Sequence, residues 1–275
     1  MELRATRYEV DGHVARLTLD RPHRGNAWTG RMHLEYRWAM TEAEADPDVR
    51  VVVVTGAEGP DGRTAFCVGA DAQALAGHVD KGGYDDGLRG EEPPMPPVAP
   101  PFAADFAFQL GMRTPVVAVV NGAAAGVGLA IACFADVRFA VEDAKLTTAA
   151  PKLGLPAEYG LSWLLPRLVG AGRAADWLLS GRVFRTQEAA EVGLFSAVLP
   201  PDALAAHAEA YVTDLARHVS PASVATTKAQ LWGDLLHGDP AASVRRSVEL
   251  LREMATGPEF AEGSRALSER RPPEF

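Results

Sequence analysis

Between residues 13 and 19 apolar and polar positions alternate, with Ala15, Leu17 and Leu19 on one face and Val14, Arg16 and Thr18 on the other. A period of two predicts a strand, and Pro22 closes it. Over residues 29–45 the period lengthens, so that Met32, Tyr36, Met40 and Ala43 share one side of a predicted helix that Pro47 stops. Residues 51–56 are an unbroken β-branched run ending in glycine, as in a strand covered on both faces. Residues 116–120 predict a second buried strand. Residues 126–134 predict a helix of small residues that something must approach closely, and 137–140 a short strand. Beyond Gly160 the pattern is helical, over 161–168, 173–179, 186–191, 202–218, 222–232, 241–255 and 258–270, with Pro221 at a helix start. No repeat is visible. The pattern predicts an α/β core over residues 1–200 and a helical region over 201–275 whose apolar faces need partners.

Composition adjusts this picture in a few places. A chain of 275 residues can bury a sizeable core. Cys67 and Cys133 are too few for a disulfide framework, which points to a reducing, cytoplasmic setting. The net charge of −9 argues against nucleic acid, whose phosphates need a basic face; Arg265, Arg270 and Arg271 are the one basic cluster. No apolar run follows Met1-Glu2-Leu3-Arg4, so no signal peptide is expected. Residues 116–135 are almost free of charge, but Asn121-Gly122 and further glycines break them into strand, turn and helix rather than a membrane span. The Pro- and Gly-rich stretch 82–101 predicts an exposed excursion, or a lid over a site.

The candidate chemistry is defined partly by what is missing. The histidines lack metal-ligand spacing, so no metal is expected, and His33 and His78 read as ordinary histidines. There is no G-x-S-x-G elbow. Gly122, Gly126 and Gly128 after a strand invite a dinucleotide reading and hence a nicotinamide oxidoreductase. Asp136, however, comes too soon to be the ribose-binding acid expected about twenty residues on. Two small-residue turns remain, Ala65-Phe66-Cys67-Val68-Gly69-Ala70-Asp71 and Asn121-Gly122-Ala123-Ala124-Ala125-Gly126-Val127-Gly128. Each can present a free backbone N–H, and two such groups aimed at one point stabilise the charge that develops on a carbonyl oxygen.

These turns belong to a longer series. Arg21-Pro22-His23-Arg24-Gly25-Asn26-Ala27, the two turns, Asp136, Leu165-Pro166-Arg167-Leu168-Val169-Gly170, Gly193-Leu194-Phe195-Ser196-Ala197-Val198, Ser220-Pro221 with Lys228, and the segment from Ala266 to Pro272 follow one another in a characteristic order. In this the chain resembles the crotonase superfamily, the enoyl-CoA hydratase/isomerase family. The resemblance implies a ββα superhelix with a C-terminal helical oligomerisation region, assembled as trimers or pairs of trimers. It implies an acyl-CoA thioester as substrate, coenzyme A being part of the substrate and no separate cofactor. It assigns the oxyanion-hole N–H groups to Ala70 and Val127. The family usually has glycine where Val127 stands, so the valine needs compatible backbone angles and would narrow the acyl pocket. Around coenzyme A the resemblance gathers Arg24, Ala27, Gly69, Asp71 and Arg270, with Asp71 and Asp136 expected to tie down their own loops.

The acid/base residues depart from the family pattern. Hydratases carry two glutamates, and the matching positions here are Ala130 and Ala150, neither of which can move a proton. Leu155-Pro156-Ala157-Glu158-Tyr159-Gly160 is similar to the loop in which double-bond isomerases of the family carry one acid. Glu158 would shuttle a proton between two carbons, its pKa raised by burial. Its bland alternative is an acid at a helix start. Asp85, Asp86 and Tyr84 could swing in from the excursion. Isomerisation through Glu158 is the favoured expectation. The rivals are a hydratase or hydrolase with acids from elsewhere, a non-catalytic acyl-CoA binder, and the oxidoreductase.

Overall fold

The computed structural model describes residues 1–71, 76 and 95–275. The expected excursion over 82–101 lies largely outside the described residues, Tyr84, Asp85 and Asp86 included, and so does His78. The chain opens with a hairpin, β1 (Thr6–Asp11) and β2 (Val14–Leu19), followed by α1 (Gly30–Ala45). Thr29 starts that helix by accepting the Met32 N–H on its side chain. Then come β3 (Val51–Gly56), β4 (Ala65–Cys67), a single turn α2 (Phe108–Gly111), β5 (Val116–Val120), β6 (Ala123–Ala125), α3 (Val127–Cys133), β7 (Val137–Val141) and β8 (Lys145–Thr147). The rest is α4 (Leu161–Val169), α5 (Ala171–Ser180), β9 (Phe184–Arg185), α6 (Thr186–Glu191), β10 (Ala197–Leu199), α7 (Pro201–His218), α8 (Pro221–Asp234), α9 (Pro240–Met254) and α10 (Pro258–Glu269).

Two sheets organise these elements. One runs β1-β2-β3-β5-β7-β10, parallel throughout except for the β1–β2 hairpin. The other runs β4-β6-β8-β9, parallel up to β8. Successive turns of the chain give one strand to each sheet: β3 then β4, β5 then β6, β7 then β8. This is the ββα spiral, a structural repeat with no counterpart in sequence. The unbroken apolar runs of β3 and β5 fit this position, since α1 and α3 share the main core on one side and α7 covers the other. Leu204, Ala208, Val212 and Ala216 of α7 meet Val51, Val117 and Phe139 there.

Close backbone approach sets the spacing between the sheets. A Cβ on Gly128 would lie 2.2 Å from the Cys67 carbonyl oxygen, one on Gly122 2.5 Å from that of Thr64, and one on Gly56 2.0 Å from that of Ala65. Real side chains do not tolerate such contacts, so these positions need glycine for room.

Buried polar groups serve as fasteners. Lys228 on α8 is 5 % exposed; its Nζ donates to the Gln109 and Thr114 carbonyls at 2.6 and 2.9 Å and pairs with Asp136 at 2.8 Å. Asp136 also accepts the Trp232 indole N–H at 2.7 Å and the Val116 N–H at 2.7 Å. One carboxylate thus ties α8 to the start of β5, the loop-fixing part expected of it. Past α8 the helices are loosely covered. Val244 of α9 stands exposed, and Leu251 of α9 with Phe260 and Leu267 of α10 are exposed around a cleft of about 810 Å³. Among the described residues no helix is long and apolar enough to cross a membrane.

Two outcomes follow for stability. Gly128→Ala forces β4 and α3 apart and costs about 3 kcal/mol or more, read from urea unfolding. Lys228→Met leaves Asp136 buried without its cation and costs about 3–5 kcal/mol in the same measurement.

Candidate active site

The first small-residue turn is held from three sides. Asn26 is fully buried with its backbone left-handed; its side-chain amide donates to the carbonyls of Ala57 and Ala65, and its oxygen accepts the Arg21 N–H. Arg21 donates to the Ala27 carbonyl at 2.7 Å and pairs with the buried Asp71 at 3.0 Å. Gly25 approaches Val68, whose N–H donates to the Gly25 carbonyl. The Arg-Pro…Asn-Ala segment is therefore a clamp on the 68–71 turn. Ala27 is buried within it, while Arg24 faces solvent beside it. Asp71 ties down its loop as expected.

Ala70 forms a parallel bridge with Trp28, made by the Trp28 N–H to Gly69 O (2.8 Å) and the Asp71 N–H to Trp28 O (2.9 Å). In a parallel bridge the residue between those bonds turns its own N–H away from the partner strand. The Ala70 N–H has no acceptor among the described residues. On the second turn, Gly126 takes φ 48° and ψ −117° and precedes α3. Val127 is the first helical residue, so its N–H has no partner within the helix, and none among the described residues outside it. A helical backbone suits valine, and the side chain packs into the main core at 3 % exposure. The two turns touch: a Cβ on Gly69 would meet the Ala125 carbonyl oxygen at 3.2 Å.

Glu158 reaches this junction from the loop ahead of α4. A Cβ on Gly126 would lie 3.1 Å from Glu158 Oε2, so the glycine clears space for the carboxylate. Gly160 is the N-cap of α4, with no side-chain cap bond, so Glu158 is not the helix cap. Its carboxylate has no hydrogen bond or ion pair among the described residues. Burial alone raises its pKa above the ordinary value of 4.5, in the expected direction. Ala130 and Ala150 are 0 % and 2 % exposed, packed methyls where the two-carboxylate pattern would need acids.

Other predicted residues fall elsewhere. Arg270 caps α10 with a left-handed backbone, faces solvent and joins none of these contacts. Gly122 and Gly128 are consumed by packing against β4, and a three-residue strand separates Gly122 from α3. This arrangement explains the glycines without a dinucleotide. His33 is buried 3.3 Å from Asp105. Among the described residues no three His, Cys, Asp or Glu side chains are grouped to hold a metal. Both cysteines are free and buried, their thiols pushed up to about 12 by burial. The sequence reading missed Phe106 and Tyr159, whose left-handed backbones carry no glycine or asparagine to signal them.

Residues 9–275 match the family model described as enoyl-CoA hydratase/isomerase. A relative from Rhodobacter capsulatus named probable enoyl-CoA hydratase is 34 % identical over 275 residues, covering 100 % of this chain and 99 % of its own. The (E)-benzylidenesuccinyl-CoA hydratase of Thauera aromatica is 32 % identical, with 97 % of each chain covered. Among solved structures, a probable enoyl-CoA hydratase/isomerase from Mycobacterium abscessus superposes with a TM-score of 0.84 at 33 % identity, with 98 % of each chain covered.

The raised pKa of Glu158 has a stability consequence. The folded protein holds that proton more tightly than the unfolded chain. Stability is therefore lost as pH rises from the ordinary glutamate value of 4.5 through the raised one. Glu158→Gln removes the penalty, so the variant melts above the wild type at pH 7 and level with it below pH 4, as read by thermal denaturation.

Proposed function

The chain belongs to the enoyl-CoA hydratase/isomerase family, and from that premise we propose that it moves the double bond of an unsaturated acyl-CoA. In this reading the Ala70 and Val127 N–H groups hold the thioester oxygen, and Glu158 carries the proton. In a 3-enoyl-CoA, Glu158 takes a proton from C2. The C–H electron pair spreads over C2–C4 and onto the thioester oxygen, where two fixed donors stabilise it. Return of the proton at C4 gives the 2-enoyl-CoA and regenerates the carboxylate. One base suffices, and no oxidant or water enters.

The observation that carries this reading is the solitary carboxylate of Glu158, poised over Gly126 and unpaired among the described residues, while Ala130 and Ala150 offer only methyls. An acid drawn above its ordinary pKa by burial is better matched to proton transfer near neutral pH. Arg24, exposed beside the clamped turn, would meet a coenzyme A phosphate, and Arg270 would do so from the tail, within this subunit or a neighbouring one. The exposed apolar residues of α9 and α10 suit a homotrimer or a pair of trimers.

Hydration is the second reading, and what favours it is the naming of the Rhodobacter and Thauera relatives as hydratases. It requires a second acid from outside the two alanine positions.

Parallel assays with 3-hexenoyl-CoA and crotonyl-CoA separate the readings. We expect conversion of the first to its 2-enoyl isomer, an acid limb above pH 4.5, and a loss of about 10²–10⁴-fold in Glu158→Gln. Hydration of crotonyl-CoA that survives Glu158→Gln supports the rival. Tight binding of both thioesters with no turnover supports a non-catalytic binder.

A further inference from the structure

Glu158 needs aim, and no polar partner among the described residues supplies it. The loop that carries it is poorly packed, with residues 152–156 exposed, Leu153 and Leu155 among them at 56 % and 41 %. Something must hold the carboxylate over Gly126. The adjacent residue, Tyr159, takes a left-handed backbone at φ 48°, uncommon for a bulky side chain. Its ring meets that of Phe106 edge to face, with centroids 5.0 Å apart and planes at 77°. Phe106 is itself left-handed at φ 62° and 1 % exposed. Two strained aromatic residues far apart in sequence thus meet immediately beside the candidate base.

Phe106 is anchored in turn. Its ring lies edge-on to Trp28 at 5.6 Å and to Tyr36 at 6.0 Å. Trp28 is the residue whose backbone bridges Ala70. A continuous run of ring contacts therefore joins the strand that fixes the Ala70 amide to the loop that fixes Glu158. On its other side the loop is pinned by Gly160, where a Cβ would stand 3.3 Å from the Phe134 ring.

We infer that the Phe106–Tyr159 ring pair is the positioning device for Glu158, setting the distance between the base and the Ala70 donor. The inference rests on the reading of Glu158 as proton carrier. Neither ring touches the reacting atoms; both act through the carboxylate. Backbone strain persists where surrounding contacts over-determine it, and here the ring contacts do so. Backbone hydrogen bonds hold the path of the 152–160 loop, Leu161 N–H to the Glu158 carbonyl among them, and the ring contacts add the side-chain packing next to the carboxylate.

The test uses 3-hexenoyl-CoA with the full-length protein. Tyr159→Phe keeps the ring and restores wild-type kcat. Tyr159→Leu lowers kcat by about tenfold to a hundredfold with KM nearly unchanged, the size expected when a reacting group is misplaced by about 1 Å. Its acid limb moves down toward the ordinary glutamate value of 4.5, because water reaches the carboxylate. Phe106→Leu does the same, and the double variant is no worse than the poorer single one, since both remove one contact. Should Phe106→Leu fail to fold, Tyr159→Leu on the half-buried partner decides the matter alone. Wild-type kcat and acid limb in Tyr159→Leu overturn the inference, as does a Tyr159→Phe variant as damaged as Tyr159→Leu. Glu158→Gln is assayed alongside. Full activity there defeats the reading of Glu158 itself and the clasp with it, whereas an inactive Glu158→Gln beside an unharmed Tyr159→Leu defeats the clasp only.

Discussion

Everything in this molecule depends on main chain lying against main chain where the two sheets meet. Gly122 in the turn before α3 and Gly128 in its first helical turn press onto the backbone of residues 64–67, and Gly69 presses back onto Ala125. No side chain fits between. Contacts of this kind leave the amides of a turn few ways to point, which is what an anion-stabilising pair of donors requires: the groups are oriented before charge appears and pay no reorganisation when it does. The same constraint accounts for the alanine-rich composition of β6 and α3 and for the glycine at 128. Any bulkier choice would open the seam that sets the geometry of the junction.

The buried and half-buried acids divide into two kinds. Glu35 accepts the N–H groups of Arg4 and Ala5 and the Thr6 hydroxyl; Glu44 accepts those of Arg113 and Thr114; Asp136 serves Val116, Trp232 and Lys228. Each is a fastener, satisfied several times over by backbone and side chain. Hydrogen bonds outweigh burial at Glu35, whose pKa is lowered despite desolvation. Glu158 lies at the other extreme, with burial raising its pKa and no hydrogen bond or ion pair to its carboxylate among the described residues. It lies beside two turns whose Ala70 and Val127 amides have no acceptor among the described residues, which makes it the candidate for proton transfer.

Legibility from sequence followed the physics of each element. The buried strands 51–56 and 116–120 were plain because a β-branched run suits a strand with apolar neighbours on both faces, and the tail helices because their periodicity is uninterrupted. The second sheet was not legible. Its strands β4, β6 and β8 are three residues long and β9 only two, too short for alternation to register. The turns and Glu158 were found because glycine and a lone acid leave a mark in sequence. The Asn26 clamp and the Lys228 tie surfaced only as landmarks, since a buried amide or ammonium shows its purpose only once its carbonyl partners are assembled in space. Phe106 and Tyr159 left no signal at all: an aromatic residue with a left-handed backbone looks in sequence like any other.

The two packed alanines carry a further consequence, for how such a site can change over generations. At 0 % and 2 % exposure, Ala130 and Ala150 are packed on nearly every side. A glutamate arriving at either position would have to displace its neighbours before it could do chemistry. A lineage moving from this chain toward a two-carboxylate site must therefore lose bulk around these positions first and gain the acids second. Selection for the new chemistry could not reward that opening step.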